Sequence, residues 1–247
     1  MKVNSMKVGV LLIHGITGSP CELDPLASVL QAEGYQVHAM TLPAHGDEPA
    51  LDMDSVSAED LLHHCKEEYF RFAEGVSTVY LIGHSLGGIC ALLLASEQPD
   101  KLGGVITFSA PYEHAYWYNQ PHAYLKLPFV NILKGGFYDA RVSLLVKFKR
   151  PRTRLRTAFH LLRESRVLFQ KLRRQVVDIQ APACLVHSRC DLTIPYSEMD
   201  KLAERIPHAQ CRTFHRSGHR IFPASHDLPL AIQCVMEFIQ STLAVPV

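Results

Sequence analysis

Long apolar stretches are missing from this 247-residue sequence: runs such as VGVLLI, from Val8 to Ile13, are far too short to span a bilayer. The lysines near the N-terminus precede a short apolar run that leads into a glycine turn, without the small-residue cleavage site of a signal peptide. The segment therefore reads as the first core strand of a cytoplasmic protein. Paired cysteine spacing is missing too. The seven cysteines (Cys21, Cys65, Cys90, Cys184, Cys190, Cys211 and Cys234) are odd in number and form no CxxC motif, which argues against a disulfide framework and fits reduced thiols. There is no internal repeat, no low-complexity tract and no excess of Pro or Gly. With 47% apolar and 20% charged residues, the composition is that of an ordinary soluble domain. The length suffices for one large α/β domain with a substantial core.

What is present is alternation. Six β-rich runs (Val8 to Ile13, Gln36 to Thr41, Thr78 to Ile82, Gly104 to Phe108, Ala183 to His187, Gln210 to His215) are separated by helical patterns. The helices are expected at Glu22 to Glu33, Ser57 to Ala73, Leu86 to Gln98, Ser197 to Arg205 and Leu228 to Leu243. SAED, from Ser57 to Asp60, has the form of a capped helix start. Such alternation predicts an α/β fold with a mostly parallel sheet of six to seven strands, covered by helices on both faces.

One region breaks the rhythm. Residues 112–180 are far too many for a standard crossover between parallel strands, and they are expected to form a helical cap on a core made of residues 1–111 and 181–247. The first half of this insertion is aromatic. The second half is cationic: Arg141 to Arg174 carries twelve Lys/Arg against one acid, Glu164, so the near-neutral total of +1 hides a basic cap on an acidic body. Leu155, Phe159, Leu162 and Phe169 recur at helical spacing among these bases, as on an amphipathic helix. A solvated helix face and a peripheral contact with anionic membrane are both open readings. The segment matches no nucleic-acid-binding module, so no nucleic-acid partner is expected.

The chemistry-bearing motif is GHSLG, from Gly83 to Gly87, which fits G-x-S-x-G. The pattern is weak by itself, but a strand (VYLI) precedes it and a helix (LGGICALLLAS) follows, as a nucleophile elbow requires. A serine hydroxyl attacks poorly until a base takes its proton, and the base must be held by an acid. The chain order expected for this elbow is Ser, acid, His. Asp191 in SRCDLTIP follows the fifth strand and His219 in HRSGHRIF follows the sixth, both at carboxyl ends where an open α/β sheet gathers its site. Other histidines fit less well: His215 falls within its strand, His226 at a helix start, and His63 and His64 on a surface helix. Asp200 and Asp227, in or beside helices, are weaker acids for the role. Backbone N–H groups of Leu86 and of Ile16, in the HGITGSP loop, are the expected oxyanion donors. His208, Cys211, His215 and His219 have metal-ligand residue types. Strand alternation would split them between faces and no second cluster completes a set, so neither metal nor cofactor is expected.

LLIHGITGSP, GYQVHAMTLPAHGDEP, GHSLGG, CDLTIP and SGH, in that order, resemble the corresponding segments of the small bacterial carboxylesterases and monoacylglycerol lipases of the α/β-hydrolase superfamily. The resemblance runs from Val8 to Leu243 except in the insertion. It implies Ser85, Asp191 and His219 as a catalytic triad, with the Ile16 and Leu86 amides as oxyanion hole. Family members often carry an aromatic residue where Ile16 stands, which leaves the N–H in place but alters the acyl pocket. With the HGITG strand so near the first residue given, the N-terminal antiparallel strands of larger relatives are not expected. The implied reaction is hydrolysis of short- to medium-chain acyl esters or monoacylglycerols through an acyl-enzyme. Thioesterase and other acyl-transfer chemistry, or a ligand-binding receptor on the same scaffold, are the alternatives. Ile16, His84, Tyr116 and Trp117 are the candidate substrate contacts, with Tyr118 beside them.

Overall fold

The computed structural model describes residues 7–16, 18–45, 55–113, 151–222 and 225–244; in the helix beginning at Pro151, side chains are described from His160 onward except Leu162. Six strands, β1 (Val8–Ile13), β2 (Gln36–Met40), β3 (Thr78–His84), β4 (Leu102–Phe108), β5 (Ala183–Ser188) and β6 (Gln210–Phe214), form one sheet in the order β2-β1-β3-β4-β5-β6. Every pairing is parallel. The order reverses between β1 and β3, so the carboxyl ends of those two strands flank a crevice open to a ligand.

Alternating side chains divide the core into two layers. Leu11, Ile13, Leu81, Val105 and Leu185 face one side; Val10, Leu12, Ile82, Ile106 and Val186 face the other. The first side is covered by α2 (Ala58–Ala73), α3 (Leu86–Ser96), α4 (Pro151–Gln175) and α5 (Ser197–Arg205); the second by α1 (Asp24–Ala32) and α6 (Leu228–Leu243). α3 is buried almost all round, which explains why its sequence has no polar face.

Several boundaries differ from the sequence reading, each for a local reason. Pro20 opens a 3-10 turn over Pro20–Leu23, so the regular α1 starts at Asp24 and not at Glu22. β3 runs on to His84 because His84 still pairs with Phe108. β6 ends at Phe214, placing His215 outside the strand, and α6 starts at Leu228, placing His226 before the helix. The start of α2 is as its sequence indicates: the Ser57 hydroxyl accepts from the Asp60 N–H at 3.1 Å and the Asp60 carboxylate accepts from the Ser57 N–H at 3.0 Å.

The apolar face expected on α4 packs inward: Phe169 is buried with Leu168 and Leu172 in the core against α2 and α3. Each such side chain contributes about 2 kcal/mol by leaving water. Two polar ties dock the helix: the His160 imidazole donates to the Val56 carbonyl at 2.8 Å, and the Glu164 carboxylate accepts the Ala58 N–H at 2.8 Å, an amide at the open N-terminus of α2. Arg163, Arg166 and Arg174 remain exposed. No helix among the described residues is long and apolar enough to cross a membrane.

Candidate active site

The G-x-S-x-G segment forms the tight link between β3 and α3. Its glycines are required by close backbone approach. A Cβ on Gly83 would lie 2.2 Å from the Gly87 carbonyl oxygen, and one on Gly87 would lie 2.2 Å from the Ile13 oxygen. α3 therefore rests directly on the end of β1. Between the two glycines, Ser85 adopts φ 54° and ψ −115°, a conformation that an L residue pays for in strain of about 1–3 kcal/mol. Its N–H donates to Phe108 O at 2.9 Å and its carbonyl accepts from Gly88, so the strained residue is held by hydrogen bonds on both sides.

The structure brings Ser85, His219 and Asp191 together from the ends of β3, β6 and β5. His219 Nε2 lies 3.0 Å from Ser85 Oγ, and His219 Nδ1 lies 2.8 Å from Asp191 Oδ2. Asp191 Oδ1 accepts from the N–H groups of Thr193 at 2.8 Å and Ile194 at 2.9 Å. Burial opposes ionisation of this carboxyl, but His219, His187 and the Ile194 N–H outweigh it and hold its pKa far below the usual carboxylate range. Asp191 is thus an anion whose partner ring nitrogen, His219 Nδ1, carries the proton and leaves Nε2 free to accept.

The loops bearing these groups are laced to each other. Ser188 Oγ donates to the Ser217 carbonyl, and Arg189 N–H donates to Phe214 O at 2.9 Å. Asp227 serves this scaffold: its Oδ2 accepts the N–H groups of Arg216 at 3.0 Å and Ser217 at 2.7 Å. Asp200 lies on α5, outside these contacts. His208 Nε2 is engaged with Ala181 O at 3.1 Å.

Ile16 and Leu86, the residue after Ser85, border a cleft that encloses about 450 Å³ including its mouth. Val56, Leu61, Leu161 and Leu168 supply most of its apolar wall, and Glu164 and Ser165 add polar atoms. Leu86 is the first residue of α3, so its N–H has no partner within the helix. The loop that carries Ile16 is fastened by His14, whose Nδ1 donates to Gly15 O at 2.8 Å while Nε2 accepts the Leu42 N–H at 3.1 Å. His84 does not line this cleft. It is buried, with Nε2 2.8 Å from the carbonyl oxygen of His219. Tyr116, Trp117 and Tyr118 lie outside the described residues.

His187 was not visible as a site residue in the sequence. It is fully buried at the end of β5, with Nε2 3.0 Å from Ile194 O and 3.4 Å from Asp191 Oδ2. Its Nδ1 has no partner among the described residues, so the proton belongs on Nε2, directed at those two oxygens. The signal lay in its spacing, four residues before Asp191 at the same strand end.

Residues 4–224 match the family model Hydrolase_4, described as serine aminopeptidase, S33. The chain belongs to this hydrolase family. Among curated relatives, the hydrolase is 26% identical over 233 residues to a thermostable monoacylglycerol lipase of Bacillus sp. (strain H-257), covering 94% of this chain and 90% of the relative. It is 25% identical over 237 residues to a carboxylesterase of Bacillus subtilis (strain 168), covering 94% and 92% of the two chains. Among solved structures, it superposes with TM-score 0.72 and 20% identity on one from the work on the metagenome-derived lipolytic enzymes LipS and LipT, covering 96% and 94%. The shared architecture is the α/β-hydrolase fold.

Proposed function

We propose that this hydrolase is a serine carboxylester hydrolase that works through an acyl-enzyme, with Ser85 as nucleophile, His219 as general base and acid, and Asp191 as the group that fixes the imidazole. The observation that carries the reading is the continuous hydrogen-bonded series from Asp191 through His219 to Ser85 beside an apolar cleft. In this mechanism His219 Nε2 takes the Ser85 proton as Oγ attacks the ester carbonyl. The Asp191 anion stabilises the imidazolium that forms, and the Leu86 and Ile16 N–H groups receive the developing oxyanion. The proton returns to the leaving alcohol, and water, activated by the same imidazole, releases the acid.

An apolar cleft wall suits an acyl chain, and relatives named monoacylglycerol lipase and carboxylesterase support short- to medium-chain esters or monoacylglycerols as substrates. The family description names a peptidase. The same triad would serve amide hydrolysis, but the aliphatic wall beside Ile16 and Leu86 favours an acyl group. Residues 112–180 act in this reading as a lid over the cleft, to which α4 contributes Leu161, Glu164, Ser165 and Leu168. The exposed arginines of α4, with the basic run before them, support electrostatic contact with anionic membrane without insertion, because the described apolar side chains of α4 beyond Leu161 face the core. The unpaired cysteine spacing supports a cytoplasmic setting.

Turnover of a p-nitrophenyl ester series, compared with monoacylglycerols and acyl-CoA, tests the reading. Ester cleavage that disappears in Ser85→Ala, with fluorophosphonate labelling at Ser85, is expected; labelling of another serine overturns the assignment. Binding to vesicles containing anionic phospholipid should weaken as salt rises, and no binding at low salt removes the membrane contact.

A further inference from the structure

We propose that His84, the residue before the nucleophile, is a positioning residue that ties the backbone of His219 to the nucleophile's own strand. The inference rests on the triad reading above and deepens it.

His84 is the last residue of β3 and is held there by pairing with Phe108. Its side chain is buried, and Nε2 lies 2.8 Å from the carbonyl oxygen of His219. A carbonyl only accepts, so the His84 proton sits on Nε2. Burial, aided by the neighbouring His219, lowers the His84 pKa to about 3, and the ring stays neutral at working pH. The two imidazole centroids lie 5.0 Å apart, and His84 also packs edge-on against Phe222, with centroids 6.2 Å apart. Phe222 in turn packs edge-on against Phe108 at 4.8 Å, so both ends of the segment from His219 to Phe222 are pinned to the β3–β4 pair.

The consequence is a short mechanical loop. From Ser85 Oγ the path crosses a 3.0 Å hydrogen bond to His219 Nε2, follows that residue to its carbonyl, and returns through the 2.8 Å bond to His84, covalently joined to Ser85. The other ties of this loop act on neighbours: Asp227 on Arg216 and Ser217, Ser188 on Ser217, and Glu22 on Arg220 at 2.9 Å. His84 reaches the base's own backbone. Without that bond the distance between nucleophile and base depends on contacts made elsewhere along the loop, and a displacement of about 1 Å costs on the order of a hundredfold in rate.

Three variants test this. In His84→Gln the side-chain amide nitrogen stands as many bonds from the backbone as Nε2 and can donate to the same carbonyl. In His84→Asn it stops one bond short. His84→Leu fills the space without a donor. The Asn and Leu variants are expected to lose roughly thirty- to a hundredfold in kcat and in the rate of fluorophosphonate labelling, with KM within about threefold of the parent. Gln should recover most of the loss, to within about fivefold of the parent. Thermal melting of each variant separates the effect from stability: a purely structural role would lower Tm and leave kcat of the folded protein unchanged. Equal impairment of Gln and Asn, or parental kcat in Asn, overturns the inference. If Leu does not fold, the comparison of Gln with Asn decides alone. Ser85→Ala, measured alongside, keeps the two claims apart, since an active Ser85→Ala enzyme refutes the triad reading, whereas an inactive one with a fully active His84→Asn refutes only the role of His84.

Discussion

Replacing Asp191 by Asn is nearly isosteric, and the geometry dictates how the amide must orient. The side of the carboxylate that meets the Thr193 and Ile194 N–H groups, at 2.8 and 2.9 Å, accepts only an oxygen. The amide NH₂ must therefore face His219 Nδ1, where the anion's oxygen lay at 2.8 Å. An NH₂ group donates, so the imidazole moves its proton to Nε2, and the nitrogen facing Ser85 becomes a donor unable to take the hydroxyl proton. Restoring the productive tautomer forfeits a charge-assisted hydrogen bond of about 2–3 kcal/mol. The imidazolium formed during attack also loses an anion roughly 5 Å away, about 3 kcal/mol at an effective dielectric of 20. Together these predict a fall in kcat of about 10⁴. Steady-state hydrolysis of p-nitrophenyl butyrate at pH 7 measures it, with thermal melting as control. The Thr193 and Ile194 bonds survive and His187 keeps Ile194 O, so Tm should move by only a few degrees. A folded Asp191→Asn enzyme within about thirtyfold of the parent would refute the assigned role of the acid.

Gly87→Ala puts a methyl group 2.2 Å from the Ile13 oxygen and 2.6 Å from the His14 oxygen, where only backbone can yield; a loss above about 3 kcal/mol is expected, and a Tm within about 3 °C of the parent would contradict it. Asp227→Ala removes acceptors from Arg216 and Ser217 and should cost about 2–4 kcal/mol in chemical denaturation, together with kcat, because the His219 loop loosens. Burial opposes ionisation of Asp227, but the Arg216 and Ser217 bonds lower its folded pKa below the unfolded value of about 3.9. Its contribution is therefore complete above that value and is lost as pH falls through the folded pKa. The parent should destabilise more steeply than Asp227→Ala below about pH 4, and parallel acid-unfolding curves would exclude this linkage.

The sequence reveals the frame of the site because each of its parts has a local signature. G-x-S-x-G between an apolar strand and an apolar helix marks Ser85, and strand ends mark Asp191 and His219. What it does not reveal depends on which surfaces meet. The spacing of Phe169 announces a buried face on α4, but periodicity is indifferent to whether a membrane or a sheet-covering helix does the burying; contact with α2 and α3 answers that. His84 and His187 are legible as residues but not as partners, since their hydrogen bonds span 135 residues to His219 and the turn of a loop to Ile194. The docking of α4 through Glu164 is hidden likewise, because a lone acid in a basic run looks like a solvent-facing exception until the amide of Ala58 is placed against it.

The backbone of Ser85 has one more implication. At φ 54° and ψ −115° the chain holds a serine where a glycine would rest without strain, so the fold would keep better with the proposed nucleophile deleted. If Ser85 is the nucleophile proposed above, durability and reactivity are set against each other at a single residue. Selection for heat resistance alone would drift toward an inert relative of this protein, and any programme that screens for melting temperature should hold position 85 fixed.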